Sequence, residues 1–375
     1  MTAYTSGFEI PYPQSTDLVK DGATAMQNLA TQVDTQMGYL VNRNYIINGN
    51  MQVWQRATSQ ASITTTGYYT ADRWNLNLSS LGTWTQSRST DVPTAQGFGY
   101  SLLMDNTTAD AAPAAGDFCF LQQKIEGQNL QNVLKGTASA RPVTVSFWVK
   151  TTTTGTMIVE LEDITNARQV SASVATTANT WVYATATFPA DTTGTIANSN
   201  AVGLALNFWI GAGSNYTGGA SLQTTWGNTA NRRAFGQTNW AAANTNDVRI
   251  TGVQLELGDA DTPYEFEPYE RTLNKCQRYY YEDAPISGPW GGLVVARATA
   301  PHPVVMRAAP NATVSNAVQF YTGSALATAT GAITQYMTDK YFQADVVTGA
   351  AAPTAVGDMC IRGQGTGKIT VSAEL

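Results

Sequence analysis

The chain reads as an all-β protein with an N-terminal arm and a short helix suited to a coiled coil, then a large jelly-roll β-sandwich and a small C-terminal β-sandwich. Three observations predict this. Charged residues make up only 13% of the 375 residues, while Thr, Ala, Asn and Gly are plentiful; Thr and aromatics favour strands, Asn and Gly favour turns. Short alternating segments recur from residue 45 onward, separated by turn residues and without helical runs between them. Helical periodicity is confined to a stretch near the N-terminus. The boundaries fall at 1–17, 18–41, 42–271 and 272–375. The chain has no fixed-period repeat, which argues against a β-helix.

In the arm, 1–17, the aromatics Tyr4, Phe8 and Tyr12 and the apolar Ile10 lie beside Pro11 and Pro13. The prolines favour an extended path, and the segment is too short for a core. Such an arm either docks its aromatics onto another surface or frays. Ser15, Thr16 or Asp17 is placed to cap the next helix. Within 18–41, Met26, Leu29, Val33, Met37 and Leu40 step by three and four along one side, and polar residues fill the other. A narrow stripe suits a short coiled coil; the alternative is a helix lying on its own β domain. Gly22 weakens the first turns.

Residues 42–271 read as one antiparallel β domain. Three of its predicted strands share a pattern. In 143–150, Val143, Val145, Phe147 and Val149 form one face, with Trp148 on the other. In 181–188, Val182, Ala184, Ala186 and Phe188 oppose Trp181 and Tyr183. In 202–210, Leu204, Leu206, Phe208 and Ile210 oppose Trp209. Side chains alternate across a strand, so each strand sends aliphatics into a core and an aromatic to the reverse face. That face is either open to a ligand or covered by loops or a neighbouring subunit; the high average burial of Trp favours covering. Residues 211–247 form the longest stretch without a period. Tyr216, Trp226, Trp240, Arg232 and Arg233 there are candidates for glycan contact, and the alternative is a loop pinned onto its own sandwich.

In 248–257 the apolar parity slips at Gly252, which predicts a β-bulge or a strand buried on both sides. GDADTP then turns the chain, and YEFEPYERTLNKCQRYYY reads as a hinge into the final strands.

A net charge of -6 and a pI near 4.9 argue against nucleic-acid or anionic-membrane partners. No apolar run spans a bilayer and no signal peptide opens the chain, so synthesis in a cytosol is expected. Cys119, Cys276 and Cys360 are scattered and odd in number, as buried free thiols would be. The catalytic inventory is thin. The single histidine, His302, lies between two prolines and has no metal-spaced neighbour. Neither a nucleophile elbow nor a P-loop is present. A glycosidase needs only two carboxylates, for which Glu160, Glu162 and Asp163 are candidates, as are Asp72 and Glu126; Glu160 and Glu162 share a strand face, and a solvated face is the plainer reading. Asp259 and Asp261 are weak Ca²⁺ candidates. No catalytic residue, cofactor or metal ligand is expected.

ITGVQLELG followed by TPYEFEPYERTLNKCQRYYYE resembles the end of the sandwich domain in tailed-phage virion proteins. NYIINGNMQVWQRATS and YYTADRW resemble its start, VTVSFWVK and WVYATATFP its central strands, and PVVMRAAPNATV and ITVSAEL the β domain after it. The resemblance runs from about Asn44 to Leu375. It implies a tail-fibre structural protein of the virion, assembled in the host cytoplasm, with a carbohydrate-binding-module-like jelly roll. The number three in an expected homotrimer comes from the same resemblance; its seam, Met26, Leu29, Val33, Met37 and Leu40, comes from the helix stripe, and the coreless arm predicts docking of Tyr4, Phe8, Ile10 and Tyr12 onto another virion protein, with contact to a host-surface glycan expected elsewhere. A purely architectural neck, collar or capsid component is the alternative, and a polysaccharide depolymerase a distant one.

Overall fold

The computed structural model describes residues 3–4, 11–12, 21–38, 43–282, 287–292, 295–314, 319–321, 326–348, 359–362 and 369–375. The arm is not one extended strand. β1 (Ala3–Tyr4) pairs antiparallel with β2 (Pro11–Tyr12), so it doubles back. Helix α1 spans Gly22–Gly38, about 25 Å at 1.5 Å per residue. It starts at the glycine that was expected to weaken the first turns.

The sandwich strands are β3 (Ser59–Ile63), β4 (Gly67–Tyr68), β5 (Asn75–Ser79), β6 (Thr83–Ser89), β7 (Ser101–Thr108), β8 (Phe118–Glu126), β9 (Val143–Thr151), β10 (Gly155–Asp163), β11 (Arg168–Thr176), β12 (Val182–Phe188), β13 (Val202–Ala212) and β14 (Asp247–Leu257). They form two six-stranded sheets, ordered β11-β10-β13-β8-β5-β4 and β12-β9-β14-β7-β6-β3. Neighbours within the sheets run antiparallel. Consecutive pairs such as β5 and β6, β7 and β8, or β9 and β10 fall in opposite sheets, which is the jelly-roll pattern. The alternation read from residue 45 onward gives no strand before Ser59. That segment instead lies along β14, with Tyr45 N–H donating to the Leu255 carbonyl at 2.9 Å.

The core forms where the alternation puts it. Val145, Phe147 and Val149 from one sheet meet Leu204, Leu206 and Phe208 from the other, all buried. Phe147 and Phe208 touch edge to face at 4.9 Å. The bulge in β14 is present: its register with β9 shifts between Thr251 and Gln254. Gly252 sits there at φ 62°, backbone that favours glycine. The chain passes so close that a Cβ on Gly49 would lie 2.0 Å from the Val253 carbonyl oxygen.

Helices α2 (Ser214–Thr217) and α3 (Tyr269–Gln277) follow, α3 occupying the predicted hinge and straddling the 271/272 boundary. The last strands are β15 (Tyr280–Glu282), β16 (Ser287–Gly292), β17 (Val295–Pro301), β18 (Asn311–Val314), β19 (Gln319–Tyr321), β20 (Leu326–Met337), β21 (Tyr341–Thr348), β22 (Met359–Arg362) and β23 (Ile369–Ser372). The small C-terminal β unit takes the form of a three-stranded sheet, β15-β23-β18, and six strands closed into a barrel, β16-β17-β21-β20-β19-β22, rather than two facing sheets. Closure removes exposed edges, which the sequence pattern of short strands does not encode.

Candidate functional site

The long segment between β13 and β14 folds back over its own sandwich. Trp209, Phe120 and Ile158, on the outer face of the β13 sheet, join Ala212 and Ala234 in a second small core. Tyr216 packs against it, 5.3 Å from Trp209 and edge-on to Phe118 at 5.6 Å. Trp240 is corrected from surface to interior: it is 0% exposed and belongs to the core between the sheets. Trp226 is half-buried, its Nε1–H donating to the Pro189 carbonyl at 2.7 Å, with Lys135 Nζ 4.9 Å from the ring centroid. Arg232 donates to the carbonyls of Ser221 and Leu222. Arg233 donates to Glu160 at 2.7 and 2.8 Å and pairs with Glu162 at 2.8 Å. The segment is therefore pinned, and its five predicted glycan contacts act chiefly within the chain. Tyr216, Trp226 and Arg232 keep only partial exposure.

The same contacts correct the expected solvated face of Glu160. Its side chain is 0% exposed, because the returning loop covers it. Burial raises its pKa, and Arg233 opposes the rise. Trp209 Nε1–H and Asn207 Nδ2 also donate to it. Both carboxylates are held by one guanidinium, a geometry of structural ion pairing.

The other sheet keeps an open patch. Tyr183 on β12 lies opposite Trp148 on β9, and Trp148 opposite Thr251 on β14. The two rings pack at 5.1 Å, tilted 48°. Tyr183 is 43% exposed and Trp148 is half-buried. At one end, Trp181 Nε1–H and Lys150 Nζ converge on Asp91 at 2.9 and 2.7 Å. At the other end, Tyr183 Oη–H donates to Asp261 at 2.6 Å, and Thr187 donates to the Asp259 carbonyl. Burial works to raise the Asp91 pKa, but hydrogen bonds from Lys150 and Trp181 and the charges of Lys150 and Arg249 outweigh it, and the net shift is downward. Burial first, then the bond to Asp261, pushes the Tyr183 phenol up to about 12. The ring thus stays neutral and is held by its hydroxyl. Exposed Thr185 and Thr187 flank it. Apolar ring faces beside hydroxyls and a carboxylate suit a ligand with both C–H and O–H surfaces.

Of the reverse-face tryptophans, Trp209 is covered, while Trp148 and Trp181 are half-buried. His302 is engaged at both ring nitrogens. Nε2 must carry the proton to donate to the Thr338 carbonyl at 3.0 Å, so Nδ1 accepts from Tyr281 Oη at 2.6 Å. Burial lowers its pKa. Among the described residues, no three His, Cys, Asp or Glu side chains are grouped to hold a metal ion. Cys119 and Cys276 are free and buried.

On α1, Met26 is 71% and Val33 39% exposed, and Leu29 is half-buried. Leu40, Phe8 and Ile10, and the side chains of Met37, Tyr4 and Tyr12, lie outside the described residues.

No protein-family model and no curated protein matches the chain. Among solved structures, similarity is found to the enzymatically active domain of bacteriophage CBA120 tailspike protein 4 (16% identity, TM-score 0.29), over 57% of this chain and 21% of that one. The chain thus spans about a fifth of that tailspike chain's length. A module named TmCBM61, in complex with β-1,4-galactotriose, is similar over 58% of this chain and 99% of its own (11% identity, TM-score 0.28). A putative sugar-binding protein from Bacteroides thetaiotaomicron VPI-5482 is similar over 57% and 100% (11% identity, TM-score 0.30). The jelly-roll assignment stands on the strand order above.

Proposed function

We propose that the protein is a tail-fibre structural component of a phage virion that contributes to host-surface attachment by binding glycan, without covalent chemistry. The single observation carrying the glycan reading is the Trp148–Tyr183 pair, open on a sheet face that it shares with Trp181 and polar residues. The virion assignment is supported by the sequence resemblance to tailed-phage proteins. The exposed Met26 and Val33 of α1 support self-association, because apolar helix side chains in water gain by pairing. Three copies would join through Met26, Leu29, Val33, Met37 and Leu40, and the arm 1–17 would dock onto another virion protein. Weak single-site binding would then be raised by multivalency.

The test is adsorption of labelled protein to host cells and to a glycan array. Tyr183→Ala should lose most binding with little loss of thermal stability, since the ring is exposed. A folded variant that adsorbs normally would remove the glycan reading and leave the architectural one.

A further inference from the structure

We propose a second ligand site, for an uncharged oligosaccharide, in the cleft between the sandwich and α3. The cleft measures about 830 Å³, within the usual size of small-ligand sites. One wall is a 3-10 helix, Gly127–Val133, with sequence GQNLQNV. With three residues per turn, Gly127, Leu130 and Val133 fall on one side, and all three are buried. The remaining positions, Gln128, Asn129, Gln131 and Asn132, are all carboxamides and all exposed, and all four line the cleft. A carboxamide carries donors and an acceptor, which matches vicinal hydroxyls; Gln131 and Gln128 spend part of theirs on the Gly127 carbonyl and on Glu126.

The opposite walls are fixed. Glu126, fully buried, accepts two hydrogen bonds from Arg278 at 2.9 Å, one from Tyr279 Oη at 2.5 Å and one from Gln128 at 2.5 Å. One interior carboxylate therefore orients three lining side chains. Tyr45 Oη–H donates to Asn132 Oδ1 at 2.8 Å, which turns the Asn132 amide donors elsewhere and sets the Tyr45 ring at the rim. The buried Gln123 holds the Ile47 backbone through both N–H and C=O, at 2.7 and 2.9 Å. Such anchoring lowers the ordering cost of binding.

The charges decide the ligand class. Lys275 and Arg278 line the cleft, but Glu267 accepts from Lys275 and Glu126 from Arg278. No carboxylate is among the described lining residues. A nearly neutral, amide-rich wall with a tyrosine fits a neutral sugar chain better than an acidic one. A neighbouring cleft of about 550 Å³ shares Lys275 and Arg278 and continues past Asn274 to Val304; Glu270 and Arg271 line it with one charge of each sign, so a chain of several sugars can run along α3.

The site shares its ligand class with the reading above but none of its residues, so the two fail separately. The full chain is titrated by calorimetry and saturation-transfer NMR with malto-, cello-, manno- and galacto-oligosaccharides, and with oligogalacturonate at low and high salt. The expected result is saturable, salt-insensitive binding of one neutral series. Measured in a Tyr183→Ala background, so that the first patch does not contribute, Asn129→Ala/Asn132→Ala should weaken it at least about tenfold. Should the double variant unfold, Asn129→Ala alone, at an exposed position, serves. The proposal is overturned if no neutral series saturates, if binding survives the substitutions in folded protein, or if only oligogalacturonate binds and salt removes it.

Discussion

Lys135 shows how charge is handled inside this sandwich. Its side chain is 2% exposed and lies between Asp163 and Asp191, with Asp191 also gripped by Arg168. Removing the cation would strand Asp163 in the interior. Lys135→Met should therefore cost about 3–5 kcal/mol in urea unfolding at neutral pH, and a change under 1 kcal/mol would contradict it. Asp72 points the other way. Burial, opposed by Arg56 and Gln55, raises its pKa from 3.8 to about 6. An acid whose folded pKa is raised stabilises the fold below its unfolded pKa, and that stability is lost as pH rises through about 6. Wild type should thus lose stability relative to Asp72→Asn as pH rises from 4 to 7, by at most about 3 kcal/mol. Paired unfolding curves across that range check the sign. None of these pairings was legible in the sequence, because the partners lie far apart along the chain. The engagement of His302 by Tyr281 and Thr338 likewise required the fold.

Strands and loops divide in what the sequence reveals. A two-residue period marks β9, β12 and β13 and assigns their faces, because one face must be dry. The parity slip at Gly252 likewise marks the bulge in β14. β3 and β4 escaped notice because one is polar and almost wholly exposed and the other has only two residues. The hairpin of β1 and β2 escaped because proline signals extension but not reversal. The amide wall at Gly127–Val133 has a sequence signal in the three-residue spacing of Gly127, Leu130 and Val133. The loop between β13 and β14 has no period because scattered backbone bonds, such as the Gln169–Gly227 bridge to β11, and side chains hold it rather than a continuous ladder. Arg233 is its charged tie to Glu160 and Glu162. Arg233→Met should cost about 3–5 kcal/mol by leaving Glu160 buried and unpaired. Adding Glu160→Gln should recover most of that, since the uncompensated charge is gone. No recovery would mean that the guanidinium packing, rather than its charge, holds the loop.

At the scale of the whole molecule, the apolar stripe of α1 and the open patch on the β12 sheet make separate demands. Light scattering should give three times the chain mass of 40.1 kDa, and Val33→Asp should reduce it to one, because a charge in a helix seam is desolvated without a partner. A wild-type monomer at micromolar concentration would remove the self-association account and leave the patch untouched. For the patch, the decisive measurement is adsorption to host cells by wild type and Tyr183→Ala at equal concentration, with thermal unfolding recorded for both. The account predicts unfolding midpoints within a few degrees of each other and a loss of most adsorption in the variant. Equal adsorption by two equally stable proteins would contradict it.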